Sequence, residues 1–278
     1  RIRNTARFLI ANLYDFDPAR DAVGPDALLE LDQWILARTR ALIERCRNAY
    51  FDYEFHAVYH ALNNFCSVDL SALYLDVVKD RLYCSRSDGA PRRSAQTALW
   101  QILDVLARLM APILSFTAEE VWGYVPAASA KQESVFLADF PPARLEATDA
   151  SLLATWERLL AVRDGVTKAL EEARQAGRIG HSLDARVRLS FATDGELGKL
   201  LGSRLSELPT LFIVSQVELA DDLGAVAESP VVPGLRIAIE RAAGQKCARC
   251  WNYRTSVGTD EGHPTICAPC VSALPDVG

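Results

Sequence analysis

Apolar side chains recur at helical spacing through the first 125 residues of the chain. In the longest of these stretches, Leu28, Leu31 and Ile35 follow one another at intervals of three and four residues, which places them on one face of an α-helix. Similar stretches precede and follow it, separated by turns that contain Gly, Pro or Asp. The pattern predicts a helical bundle over residues 1–125 and a mainly α fold.

Local signals predict the boundaries of the last helices in this bundle. Pro112 follows a long apolar stretch and is expected to stop or kink its helix, because proline has no backbone N–H to donate. Thr117 and Glu120 have the spacing of a capping box, in which each side chain accepts from a backbone N–H at a helix start. The last helix is therefore predicted to begin at Thr117.

The pattern changes beyond residue 125. Residues 126–150 contain three prolines and many small side chains, which favours a surface connection. Residues 151–244 are predicted to form a helix that ends at Gly177, followed by a small α+β unit. Its predicted strands lie at 185–189, 211–219 and 235–239, and a helix at about 195–206 lies between the first two.

Two Cys-x-x-Cys pairs, sixteen residues apart, follow this unit. Their members are Cys247, Cys250, Cys267 and Cys270. Two such turns can direct four thiolates inward around one zinc ion. Since four sulfur ligands leave no position for a catalytic water, the pattern predicts a structural zinc. The ion is expected to hold together a module over residues 245–278, which is too small to bury much apolar surface.

Disulfides and a redox pair are the alternatives for these cysteines. Disulfides are typical of secreted chains, whereas no secretory feature is visible here, and a thioredoxin-like pair requires a βαβ setting. Three further cysteines, Cys46, Cys66 and Cys84, lie in apolar helical stretches, as expected of thiols in a reducing compartment. These patterns favour zinc and a cytoplasmic protein.

The composition changes this picture only slightly. Of the 278 residues, 50% are hydrophobic and 24% are charged, which indicates a globular chain. No apolar run approaches the length of a membrane span, so we expect a soluble protein. The formal net charge of −6 argues against a generally basic surface for nucleic acid but leaves local basic faces open. The sequence opens on Arg1 and contains one methionine, as expected of a piece of a longer polypeptide.

Several stretches resemble one family of enzymes. Residues 3–9 (Arg-Asn-Thr-Ala-Arg-Phe-Leu), 31–34 (Leu-Asp-Gln-Trp) and 111–122 (Ala-Pro-Ile-Leu-Ser-Phe-Thr-Ala-Glu-Glu-Val-Trp) look like the anticodon-binding helical domain of class I aminoacyl-tRNA synthetases for branched aliphatic amino acids. Residues 179–185 (Ile-Gly-His-Ser-Leu-Asp-Ala), with the strand pattern and the cysteine pairs, are similar to the C-terminal region of bacterial-type isoleucyl-tRNA synthetases. The resemblance extends over essentially the whole chain.

The resemblance implies the anticodon stem-loop of isoleucine tRNA as partner, and a catalytic domain elsewhere on a longer chain. ATP and magnesium are expected only in that full-length enzyme, because the catalytic signatures of the family, His-Ile-Gly-His-like and Lys-Met-Ser-Lys-Ser-like, are absent from this sequence. Residues 178–181 (Arg-Ile-Gly-His) match the first signature in part, but they are predicted to lie between a helix and a strand rather than in a nucleotide fold. We therefore expect a monomer that has no catalytic residue and does not aminoacylate alone.

Three groups of side chains are predicted to contact tRNA. Around the first cysteine pair, cations and a planar ring are suited to unstacked bases; the residues are Lys246, Arg249, Trp251 and Arg254. On the long helix, Arg38 and Arg45 are seven residues apart and are predicted to contact phosphates from one face. A second arginine group, around the loop 85–90, consists of Arg81, Arg86, Arg92 and Arg93.

Each of these predictions has an alternative. Trp251 could pack over the zinc site as the core of its module, and each arginine could pair with an acid of the helices. His56 and His60, four residues apart, are expected to be ordinary side chains of the bundle and not a second metal site. For the whole chain, the alternative is a free-standing zinc-finger adaptor that binds protein or DNA.

Overall fold

The computed structural model describes residues 1–127, 131–142, 147–191, 195–224 and 226–275. They form two compact units, Arg1–Ala154 and Thr155–Gly278. Parts of the predicted connection (128–130 and 143–146), of the α+β unit (192–194 and 225) and of the zinc module (276–278) lie outside the described residues. The predicted fold class, a mainly α chain with a small α+β part and a C-terminal cysteine cluster, is confirmed.

The first unit is built from helices. They are α1 (Ile2–Ala11), α2 (Pro18–Asp21), α3 (Glu30–Phe51), α4 (Phe55–Asn64), a π-helix (Phe65–Tyr74), α5 (Leu75–Val77), α6 (Lys79–Cys84), α7 (Ala90–Met110) and α8 (Ser115–Gly123). Short 3₁₀ turns lie at Pro25–Ala27 and Val135–Leu137, and α9 (Ala147–Gln175) passes from the first unit into the second.

The helix α7 forms the centre of the first unit. It contacts α1, α2, α3, α6 and α8, because apolar side chains surround it instead of forming one stripe. Leu99, Ile102, Leu103 and Leu106 are at most 1% exposed. None of the helices within the described ranges has the length and apolar character that a bilayer crossing requires.

A buried carboxylate, that of Asp32 on α3, ties four helical segments of this unit together. Arg81 on α6 donates to both of its oxygens at 2.9 Å, Tyr74 of the π-helix donates through Oη at 2.7 Å, and Ser94 on α7 donates through Oγ. Asp32 is 0% exposed. Burial, with the neighbouring carboxylate, raises the pKa of Tyr74 well above its usual value, so the phenol remains a donor.

Helix α7 ends before Pro112, as predicted, but the capping box at Thr117 is wrong. α8 begins at Ser115, and its N-cap is Leu114. The carboxylate of Glu120, which would complete the box, instead pairs with Arg3 of α1 at 2.8 Å. A tertiary ion pair therefore replaces the local hydrogen bond to a backbone N–H that the motif favours.

The second unit contains a three-stranded sheet. β1 (Ala185–Ser190) lies between β2 (Gln216–Leu219), to which it is parallel, and β3 (Arg236–Arg241), to which it is antiparallel. The apolar side chains of β1 are buried, whereas Arg186 and Arg188 lie on the other face and both contact Glu240. This alternation gives the sheet one core face and one charged face.

Two short helices connect β1 to β2. They are α10 (Glu196–Ser203) and α11 (Leu208–Phe212). The strand predicted over 211–219 is wrong for its first part, because Pro209 opens α11 and Ile213 ends it with a left-handed backbone at φ 56°. Only Gln216–Leu219 pairs as a strand.

Candidate metal centre and nucleic-acid interface

Four cysteine sulfur atoms come together in the second unit. They belong to Cys247, Cys250, Cys267 and Cys270. All four Sγ atoms lie within 4.8 Å of one another, and Cys250 Sγ is 3.8 Å from Cys267 Sγ. Sulfur atoms at about 2.3 Å from one tetrahedral zinc ion stand about 3.8 Å apart, so the donor set fits this ion.

A short hairpin carries the first pair of cysteines. Its strands, β4 (Gln245–Lys246) and β5 (Tyr253–Arg254), are antiparallel, and the Trp251 N–H donates to the Cys247 carbonyl at 3.0 Å within the turn. Gly244 enters the hairpin at φ 92°, and a Cβ there would lie 2.4 Å from the carbonyl carbon of Arg254. Only glycine fits this position.

The second pair lies at the start of α12 (Ala268–Ser272). Cys267 is the N-cap of this helix, and its N–H donates to Cys247 Sγ at 3.3 Å. Burial raises the pKa of the Cys247 thiol, but backbone N–H groups of Cys250, Cys267 and Arg249 outweigh it and lower this pKa to about 6. Burial and the neighbouring sulfurs raise the pKa of Cys270. A cation would favour the thiolate at all four positions.

The cysteines are also most of the core of this module. Cys247, Cys267 and Cys270 cluster with Val257, and the partly buried Cys250 and Ile266 pack against them. Two aliphatic side chains are too few to stabilise such a module alone. The cysteine cluster therefore supports a structural zinc ion.

Trp251 lies outside this core. Its side chain is 60% exposed, it is not a member of the cysteine cluster, and its backbone is left-handed at φ 66°. Lys246 Nζ lies 5.5 Å from the centre of the indole ring, which is the distance of a cation–π contact. The turn thus presents a cation and an aromatic ring together on the surface, which disfavours the alternative that Trp251 packs over the metal site.

The two arginines of the module differ in their surroundings. Arg249 Nη1 donates to the Cys270 carbonyl at 3.2 Å, so this side chain also connects the two cysteine turns. Arg254 is half-buried on β5, and its Nε is buried without a hydrogen-bond partner in the described part of the chain. Of the four residues predicted around the first pair, Lys246 and Trp251 contact each other.

Arg38 and Arg45 of α3 are not equivalent. Arg38 forms two hydrogen bonds to the Asp69 carboxylate, at 3.0 and 3.3 Å. Arg45 is exposed and, within the described ranges, has neither a hydrogen bond nor an ion pair. Of the two predicted phosphate contacts, Arg45 is therefore the one whose guanidinium can bind a phosphate without first breaking an ion pair.

Three of the four arginines in the second group pair with polar side chains of the bundle, whereas Arg86 pairs with Asp88 and its side chain stays 40% exposed. Arg92 is 6% exposed and bonded to Asp15, Arg81 is bonded to the buried Asp32, and Arg93 contacts Asp15 and Gln96. These side chains hold the bundle together, because their carboxylate partners lie on segments that fold against them.

Residues 32–189 match the family model described as "Anticodon-binding domain of tRNA ligase". The chain belongs to this family. The matched residues run from the first turn of α3 into β1. Residues 244–273, which include the four cysteines, match a second model, "Zinc finger found in FPG and IleRS".

Curated relatives agree with this family assignment. The chain is 52% identical to an isoleucine–tRNA ligase of Syntrophotalea carbinolica, 50% to one of Geobacter sulfurreducens and 47% to one of Moorella thermoacetica. The first two matches cover 99% of this chain but 29% of the relative, and the third covers 100% and 30%. The chain thus spans less than a third of the length of these relatives, and the resemblance identified from the sequence is confirmed.

One feature of the anticodon-binding domain and the helix before it has no simple sequence signal. A cleft lies between α1 and the π-helix, and its walls carry several polar side chains. Apolar spacing cannot distinguish the π-helix over Phe65–Tyr74 from an ordinary helix, since the π-helical register differs from the usual period by less than one residue per turn.

Proposed function

We propose that this chain is the tRNA-recognition part of a longer isoleucine–tRNA ligase, and that it binds the anticodon stem-loop of isoleucine tRNA. The family of the helical domain and the names of the relatives support this proposal. The observation that carries it is the exposed Trp251 ring with Lys246 beside it, on a rigid turn next to the four cysteines. An unstacked loop base can stack on such a ring.

The four cysteines hold one zinc ion in this proposal. The ion supplies a covalent-like cross-link between two turns and performs no step of the reaction. Cys247 and Cys250 anchor the hairpin that presents Trp251, and Cys267 and Cys270 anchor α12. Lys246, Arg249 and Arg254 provide positive charge around the ring, while Arg38 and Arg45 contact phosphates of the stem.

The catalytic activity belongs to the longer polypeptide. That polypeptide would carry the catalytic domain, bind ATP and magnesium, and join isoleucine to its tRNA in the cytoplasm as a monomer. Within the present chain, we place the anticodon-binding helices at 1–125, a connection at 126–150, the helix and α+β unit at 151–244 and the zinc module at 245–278.

We expect Trp251→Ala to weaken binding of isoleucine tRNA about 10-fold, since one base on an aromatic ring contributes about 1–3 kcal/mol. Trp251→Phe keeps a stacking surface and should recover most of the affinity. The measurement is a titration of fluorescently labelled isoleucine tRNA and of a non-cognate tRNA with the zinc-loaded chain. Equal affinity for both RNAs would overturn the proposal and favour the zinc-finger adaptor.

Arg45→Ala should weaken binding uniformly across RNA sequences and reduce the salt dependence. Loss of one phosphate contact lowers the slope of log affinity against log salt by about 0.7–0.9. Arg3→Ala is a matched control, because Arg3 is another exposed helical arginine but is paired with Glu120. Affinities measured between 50 and 300 mM salt, on the order of physiological ionic strength, test this; an unchanged slope removes Arg45 from the interface.

A further inference from the structure

Residues 180–184 (Gly-His-Ser-Leu-Asp) form a closed turn directly before β1. The Asp184 carboxylate accepts from the N–H groups of Gly180 and His181 at 3.0 and 2.8 Å. In return, His181 Nδ1 accepts from the Leu183 N–H at 3.2 Å. The turn thus satisfies three of its N–H groups internally, as a capping box does. The carbonyls of Leu183 and Asp184 accept instead from other segments of the second unit.

Ser215 connects the 180–184 turn to the zinc module. It is 5% exposed and lies directly before β2. Its Oγ donates to the Leu183 carbonyl at 2.5 Å and accepts from the Tyr253 N–H at 2.7 Å. Both bonds form together, because a hydroxyl has one proton to donate and lone pairs that accept. Tyr253 begins β5, two residues after Trp251, so one buried hydroxyl joins the turn to the hairpin that presents the ring.

The residues that lead from β3 into the hairpin are held by neighbouring groups. The Ala242 N–H donates to the Asp184 carbonyl at 2.8 Å, which continues the β1–β3 ladder by one residue. The Gln216 side chain holds the next residue, since its Nε2 donates to the Ala243 carbonyl at 2.9 Å and its Oε1 accepts from the Ala243 N–H at 3.0 Å. Gly244 then enters β4 at φ 92°. This link is therefore fixed at consecutive residues and is not a free hinge.

The apolar core of the module lies apart from these contacts. Among the described residues, the cysteine cluster and the side chains that pack against it all belong to residues 247–270. A zinc ion would join members of the same segment, so it would fold the module without orienting it against the sheet. The hydrogen bonds of Ser215, Gln216 and Asp184 are the contacts that join the module to the sheet.

We propose that Ser215, Gln216 and the 180–184 turn are positioning residues, which orient the zinc module while the zinc ion folds it. The effect on RNA binding rests on the proposed function. These residues act through Trp251, because they hold its hairpin in one orientation before RNA arrives. A module that is already oriented loses little freedom on binding, whereas a mobile one must be ordered by its ligand, which lowers the affinity.

Residual dipolar couplings of the zinc-loaded 278-residue chain measure the orientation without RNA. In the unaltered chain, the amides of β1 and those of the module should fit one alignment tensor. In Ser215→Ala the module couplings should become smaller and fit a separate tensor. The amides of Ala248 and Cys267 are bonded within the module, to the Thr265 carbonyl and to Cys247 Sγ. Both should keep their protection from hydrogen exchange, and the chain should keep one zinc ion.

Three further variants separate orientation from a general loss of stability. Gln216→Leu removes both bonds to Ala243 at a partly exposed position, so it tests the same role if Ser215→Ala does not fold. Ser215→Thr keeps a hydroxyl and should restore the single tensor. Ser190→Ala is the matched control, because Ser190 is also buried, at 8% exposure, but its hydroxyl donates to the Asp221 carbonyl at 3.2 Å. This control should leave the module aligned with the sheet.

A double-mutant cycle tests whether Ser215 acts through the ring. Ser215→Ala should weaken binding of the isoleucine anticodon stem-loop RNA about 5-fold, since the mobile module must be ordered. In a chain that already carries Trp251→Ala, no ring remains to be positioned, and Ser215→Ala should then cost less than about 2-fold. If the two losses multiply, Ser215 does not act through Trp251.

The possible outcomes separate this inference from the proposed function. If the module stays aligned with the sheet in both Ser215→Ala and Gln216→Leu, the positioning role is wrong, whatever the RNA affinity. If the module moves but the affinity does not change, the effect on RNA binding is wrong. If the unaltered chain does not prefer the isoleucine stem-loop to a non-cognate one, the proposed function fails, whereas the measured orientation still decides the positioning role.

Discussion

Removal of zinc by a chelator is expected to unfold residues 245–273 while the helices of the first unit remain folded. In the described part of the module, the core consists of cysteine sulfurs with Val257 and Ile266 as aliphatic partners. Zinc-finger peptides gain about 10–16 kcal/mol of apparent free energy from the bound ion, and the apolar contacts here cannot replace it. Without the ion, four thiols at least partly buried would face one another.

Hydrogen exchange at two backbone amides measures this unfolding directly. The Cys267 N–H donates to Cys247 Sγ at 3.3 Å, and the Ala248 N–H donates to the Thr265 carbonyl at 3.0 Å. Both amides should lose protection on chelation and recover it when zinc is restored. Retention of both in a zinc-free chain would contradict a metal-dependent module.

Substitution of single cysteines tests the same metal dependence, with one variant inside the cluster and a control outside it. Cys267→Ser should abolish stoichiometric zinc, because a serine hydroxyl is a poor replacement for a thiolate ligand. Cys46→Ala removes a buried cysteine of α3 that lies outside the cluster, so it should retain one zinc ion per chain. Metal content by atomic emission distinguishes the two variants.

Asp32→Ala is expected to destabilise the first unit by about 3–5 kcal/mol, the effect of removing one partner of a buried ion pair. The substitution leaves the Arg81 guanidinium, which is 12% exposed, without its carboxylate, and deprives Tyr74 and Ser94 of their acceptor. For a unit of this size, the midpoint of thermal unfolding should fall by roughly 10 °C.

The exposed ion pair between Arg3 and Glu120 is expected to contribute much less stability than the buried Asp32 network. Its side chains are 63% and 53% exposed, so Arg3→Ala should cost at most about 1 kcal/mol. Urea unfolding of both variants, followed by the loss of helical circular dichroism, tests the difference. Equal losses would show that the Asp32 network contributes no more than a surface pair.

The metal site could be predicted from the sequence because its geometry is local. Within each cysteine pair, two intervening residues fix the turn, and zinc chemistry limits the number of ways in which two turns combine. Helix α7 could be predicted equally well, because its apolar residues recur over many turns and Pro112 limits its end. Both inferences depend only on neighbours along the chain.

The arginines could not be assigned in this way. Arg38 bonds to Asp69, 31 positions away, and Arg40 bonds to Asp149, 109 positions away. No local period distinguishes an arginine that meets a distant carboxylate from one that remains in solvent. The capping box failed for the same reason, because Glu120 has a partner on α1, and the strand predicted to start at Leu211 failed because a short apolar run suits a helix equally well.

The left-handed backbone of Trp251 has a consequence for protein engineering. A bulky residue is strained in this conformation and glycine is not, so a selection for heat resistance alone would favour glycine at position 251. Such a variant would retain its metal and its fold but would present no ring to RNA. Stability and recognition compete at this residue, and a thermostable variant obtained without an RNA-binding screen would therefore be expected to lose part of its affinity for tRNA.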